Sequence, residues 1–100
     1  MWAQQPVFVS ALRIEFHIPA AHSLKEKRAV LRPIIDGLRN RHRVSVAEID
    51  HQDLWQRATV GIAVVGADVS TVTDVLAKCE QFIESFPEIE ILETEQLWLD

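Results

Sequence analysis

From Leu12 to Ile18 the chain alternates strictly, with Leu12, Ile14, Phe16 and Ile18 on one side and Arg13, Glu15 and His17 on the other. A period of two belongs to a half-buried strand, so Val7 to Ile18 is predicted as β, stopped by Pro19. The period then changes. Leu24, Leu31, Ile34, Ile35 and Leu38 share one face at 3.6 residues per turn, and Ser23 with Glu26 forms a Ser-x-x-Glu capping box at the head of that helix. Pro33 and Gly37 interrupt its chemistry but not its periodicity, which predicts a bent helix.

Val44 to Asp50 reads as a second strand. The turn-forming Asp50-His51-Gln52-Asp53 leads into a third, β-branched strand over Trp55 to Val65. Asp68 caps a second helix that runs to about Phe86, with Val69, Val72, Val75, Leu76, Cys79, Phe82, Ile83 and Phe86 on its apolar face. Pro87 ends it, and Ile89 to Trp98 forms the last strand. The order β-α-β-β-α-β predicts a ferredoxin-like α+β sandwich: an antiparallel sheet ordered 4-1-3-2 with both helices on one face. One domain over residues 7–100 is expected, behind a flexible tail of residues 1–6.

Charge changes the picture. The net charge is −5, yet the stretch from Ser23 to Arg43 holds seven of the ten Lys and Arg residues. Projected at about 100° per residue, Lys25, Arg28, Arg32, Arg39 and Arg43 fall on one stripe beside the apolar face, about 27 Å long. Lys25, Lys27 and Arg28 lie in the first turns, where the helix dipole disfavours cations and attracts anions. A solvated face, with Asp36 pairing Arg32 or Arg39, is the competing reading. The length of the stripe favours a polyanion.

The predicted topology gathers a second group at one edge: His17, His22, Asp50, His51, Asp53, Trp55 and Arg57, beside Lys25, Lys27 and Arg28. Trp55, Arg57 and Thr59 are expected on the open, helix-free face of the sheet. There a Trp would stack a base or anchor a partner protein, including a second copy of this chain; the edge of the last strand is a further pairing surface. Asp50, His51 and Asp53 suggest a metal or acid/base cluster, but without metal-ligand spacing. No nucleophile, P-loop or dinucleotide motif is present, so no catalytic residue, metal or cofactor is expected. The single Cys79, the absence of a signal-peptide pattern and the lack of an apolar run near 18 residues predict a cytoplasmic protein without membrane contact.

The segments His22-Ser23-Leu24-Lys25-Glu26-Lys27-Arg28 and Ala47-Glu48 through Asp50-His51-Gln52-Asp53-Leu54-Trp55-Gln56-Arg57 resemble the YlxP-like family, domain of unknown function 503. The resemblance spans nearly the whole chain from about Val7. It implies a ferredoxin-like fold in a small bacterial cytosolic protein. In some bacteria the gene lies beside genes for translation initiation and ribosome maturation factors, which implies a translation or RNA context. The family has no agreed catalytic residues to carry over. Together with the basic stripe, the leading expectation is a non-enzymatic module bound to RNA or a ribosomal component through Lys25, Lys27, Arg28, Arg32, Arg39 and Arg43. Self-association or protein interaction through the open face is second, and a small metal- or acid/base-dependent enzyme third.

Overall fold

Six elements follow in the order β1 (Phe8–His17), α1 (Leu24–Arg41), β2 (Ser45–Asp50), β3 (Arg57–Gly66), α2 (Val69–Glu84) and β4 (Glu90–Trp98). The computed structural model describes residues 7–99, so the tail expected over residues 1–6 lies outside the described residues. The strands pair antiparallel in the order β2-β3-β1-β4, which is 4-1-3-2 read from the other edge. This is the ferredoxin-like arrangement. Leu12, Ile14, Phe16, Ala58, Val60 and Ile62 point to the helices and are buried against Leu31, Ile34 and Leu38 of α1 and Val72, Leu76, Cys79 and Ile83 of α2. Helix α2 lies over β1 and β3, while α1 lies over β2 at the edge of the sheet.

Helix α1 passes through Pro33 without interruption. Pro33 supplies no amide to the Ala29 carbonyl, but both residues are exposed, so water can satisfy that carbonyl. Gly37 is the point where the helices approach: a Cβ there would lie 2.2 Å from Phe82 Cζ on α2. The glycine that weakens α1 locally is what lets Phe82 pack across it. The helix ends at Arg41, His42 donates its amide to Leu38 O at 3.2 Å, and Arg43 takes a left-handed φ of 54°. Arg43 is therefore not on the helical stripe expected from sequence. The stripe keeps Lys25, Arg28, Arg32 and Arg39, about 21 Å of helix.

Helix α2 begins at its cap, Asp68, whose carboxylate accepts from the Thr71 amide at 2.7 Å and the Thr71 hydroxyl at 3.0 Å. The amide bond, then the hydroxyl, holds that carboxyl below its ordinary pKa. The helix stops at Glu84 rather than Phe86, because Ser85 turns its hydroxyl back to Phe82 O at 2.6 Å. Strands β2 and β4 each begin one residue later than the sequence pattern suggests. The larger correction is β3, which starts at Arg57. The Gln56 carbonyl accepts from the Ile18 amide at 2.8 Å, and the Gln56 side chain donates to the carbonyls of Pro19 and Ala21. Those bonds tie residue 56 to the β1–α1 connection, so Trp55 belongs to the loop before β3 and not to the open face of a strand.

Candidate functional site

The cap of α1 sets the head of the site. Ser23 Oγ accepts from the Glu26 amide at 3.0 Å, and Glu26 reaches back to the His22 amide at 3.3 Å, one residue before the cap. Beyond this turn Lys25, Arg28, Arg32 and Arg39 are exposed. Among the described residues, ion pairs form at Arg13–Asp50, His17–Glu90, Lys27–Glu48 and Arg57–Glu15, and none involves the four cations of the stripe. Asp36 pairs neither Arg32 nor Arg39. Arg39 donates one bond, to Val46 O at 3.1 Å, which covers part of the free edge of β2. Arg28, Arg32 and Arg39, with Leu31, Ile35, Asp36 and Glu48, line an open groove of about 210 Å³.

Lys27 behaves differently. It is 1% exposed, and its ammonium lies 2.6 Å from His51 O and 2.9 Å from Glu48 Oε2. The Glu48 contact is a charge contact rather than an aligned hydrogen bond. This lysine straps α1 to β2 and to the turn after it, and so it is withdrawn from the set of surface cations expected to meet an anion. The wheel already held the signal: Lys27 falls at about 300°, between Ile34 at about 280° and Leu38 at about 320°, inside the apolar face.

The strap ends on a strained corner. His51 has a left-handed φ of 61°, a conformation that costs a non-glycine residue roughly 1–2 kcal/mol. Four bonds hold it. Its amide donates to Asp50 Oδ1 at 2.8 Å, its carbonyl accepts from Lys27 and from the Leu54 amide at 3.1 Å, and its Nδ1 lies 2.9 Å from Thr59 Oγ1. The ring is thus partnered by a hydroxyl, and among the described residues neither Asp50 nor Asp53 orients it as a general base. His17 turns instead to Glu90 at 3.4 Å, and His22 is exposed at the cap. Among the described residues no group of three or more His, Cys, Asp or Glu side chains is placed to hold a metal. Cys79 is enclosed in the core, where burial pushes its thiol up to about 11, far from a thiolate at neutral pH.

The open face of the sheet divides in two. One half is apolar and made mostly of small residues, Ala11, Ala47, Gly61 and Ala63 among them, bordered by Val65 and Leu97. The other is polar. A bulge between Glu48 and Asp50 places Asp50 opposite Thr59, which lies opposite Glu15, which lies opposite Glu93. Arg57 pairs Glu15, and Arg13 approaches Asp50 at 3.9 Å. Thr59 is fully buried and Glu15 is 8% exposed although no helix covers them; the surrounding long side chains enclose them. Thr59 and Glu15 fall on this face as the alternation predicts, but their burial was not foreseen, because alternation marks them only as outward-facing.

The elements expected to converge are therefore adjacent: the β1–α1 connection through Gln56, the start of α1 through Lys27, and the β2–β3 loop through His51. Trp55, 52% exposed, and Leu54 stand on that loop, with Asp53 exposed beside them. Among the described residues no helix is long and apolar enough to cross a membrane.

A protein of the same fold among solved structures is the de novo designed Foldit4, with a TM-score of 0.52, 15% identity, and coverage of 91% of this chain and 96% of that one. A dimeric ferredoxin-like protein from an uncultured marine organism aligns over 95% of this chain and 96% of its own, at 9% identity and a TM-score of 0.43. The sequence is 46% identical over 78 residues to the uncharacterized protein YlxP of Bacillus subtilis (strain 168), covering 78% of this chain and 85% of that protein. The model of the family described as "Protein of unknown function (DUF503)" matches residues 9–96. The chain belongs to the DUF503 family, as a YlxP-like sequence.

Proposed function

We propose that this protein is a non-enzymatic RNA-binding module whose phosphate contacts are made by Lys25, Arg28, Arg32 and Arg39 on the outer side of α1. One observation carries the reading. In a chain with fifteen acidic residues against ten basic ones, these four cations are exposed and none is ion-paired with a carboxylate among the described residues. Arg28 and Arg32 stand one turn apart, where like charges repel, and Lys25 opposes the dipole. Phosphates along the helix would relieve both. The polar half of the open face is a poor alternative for RNA, since Glu15, Asp50, Glu90, Glu93 and Glu95 outnumber its arginines and it carries no aromatic platform.

The test is the salt dependence of binding to a single-stranded RNA oligonucleotide. Four phosphate contacts give a slope of log K against log salt of about −3. Replacing Arg28→Glu and Arg32→Glu together should reduce that slope by about half and weaken binding steeply at low salt. Affinity indifferent to both salt and the double substitution sinks the reading.

A second reading, self-association through the open face, draws on the apolar half around Ala11 and Ala63. It predicts a dimer by sedimentation over a range of concentrations that dissociates on Ala63→Arg. The run Glu90, Glu93 and Glu95 supports the face over the β4 edge, because pairing two copies of β4 would bring carboxylates together.

A further inference from the structure

We infer that the ligand of the basic helix is single-stranded, and that Trp55 stacks one of its unpaired bases at the head of α1. The inference rests on the proposed phosphate contacts and adds the element that would distinguish a single strand from a duplex. Trp55 and Leu54 are large apolar side chains, about half exposed, on a loop that is otherwise held closely. Lys27 and the Leu54 amide both bond the His51 carbonyl, His51 Nδ1 meets Thr59, and Gln56 bonds the carbonyls of Pro19 and Ala21. These bonds come from α1, β3 and the β1–α1 connection, on both sides of Trp55 in sequence. The loop is therefore built before any ligand arrives, and an aromatic presented this way loses little conformational entropy on binding.

Its neighbourhood selects the partner. The loop abuts the first turns of α1, which present Lys25 and Arg28 to solvent, and the one cation there that faces inward, Lys27, is already engaged by the loop itself. An exposed indole on a loop bonded to the helix that carries the unpaired cations matches a base and its phosphates: the ring supplies a π surface tolerant of any base, and the cations follow the backbone. In a duplex the bases are stacked inside and offer no free face to the indole. The strain at His51 has a role in this account. A left-handed residue there turns the chain sharply out of β2, and the exposed segment Asp53-Leu54-Trp55 follows directly.

The experiment compares a labelled oligouridine strand with a blunt RNA duplex of equal strand length, by fluorescence anisotropy on the full chain. Trp55→Ala should weaken single-strand binding by about 5- to 150-fold, leave its salt slope unchanged, and leave duplex binding unchanged. Trp55→Phe should keep most of the affinity. In a Trp2→Phe, Trp98→Phe background, emission from Trp55 should be quenched by the single strand. Because Trp55 is exposed, unchanged far-UV circular dichroism serves as the folding control. If Trp55→Ala binds the strand as tightly as the parent with the same salt slope, stacking is wrong while the phosphate reading stands. If the parent binds neither RNA, both fall. If Trp55→Ala instead dissociates a dimer seen by sedimentation, Trp55 is an anchor for a second copy and the inference is overturned.

Discussion

The inner and outer sides of α1 both carry cations, and Lys27 and Arg28 are neighbours in sequence, yet they meet opposite surroundings. Lys27 is enclosed and has two oxygen partners from segments 21 and 24 residues away, Glu48 and His51. Arg28 is exposed and, among the described residues, unpaired, as are Lys25 and Arg32. The inner charge belongs to the fold, since taking an ammonium out of water demands partners. The outer charges contribute nothing comparable to the fold and repel one another. A local excess of positive charge is therefore two features superposed. Only the outer one is available to a partner.

The comparison breaks most easily at Lys27. Lys27→Ala should destabilise the protein by about 3 kcal/mol, because it strands the half-buried Glu48 carboxylate and frees the His51 corner; urea unfolding reads this directly. If the loss is no larger than for Lys25→Ala on the outer side of the same helix, Lys27 is not a strap. Gly37→Ala probes the inner side by volume instead of charge. Helix propensity alone predicts a gain of about 1 kcal/mol, but the Cβ at 2.2 Å from Phe82 Cζ predicts a net loss of about 1–2 kcal/mol. A thermal shift upward would overturn that. The Phe82 ring has limited room to retreat, since it packs on Phe86 and His42 with ring centres 5.2 Å away in each case. The smallest expected effect lies on the outer side. Arg32→Ala should leave stability within about 0.5 kcal/mol, since the side chain is exposed and unpaired among the described residues, while weakening RNA binding. A larger loss of stability there would place Arg32 with the fold.

Much of the fold was legible because each element announces itself over a few residues. The alternation through Leu12 and Ile18, the box at Ser23 and Glu26, and the cap at Asp68 all recur as strand, helix and cap. The candidate site was legible in outline, since topology alone brings the β1–α1 connection, the start of α1 and the β2–β3 loop together. Lys27 was readable from its angle on the helix and was obscured only by being grouped with its charged neighbours. Trp55 was not readable. Its two-residue spacing from Arg57 and Thr59 continues the strand pattern, but the strand begins only at Arg57, where Gln56 is bonded to Pro19 and Ala21 more than thirty residues back.

Local pattern along the chain already sets the six elements, their order, their buried faces, and the excess of cations on α1. The folded chain alone reveals which oxygens Lys27 reaches, which way Asp50 faces after the bulge, why Gly37 is small, and that Trp55 stands on a loop. The reason is range. Periodicity and caps act between residues on the same turn or pleat, while ion pairs, bulges and close packing depend on groups that meet only after the chain has folded back on itself.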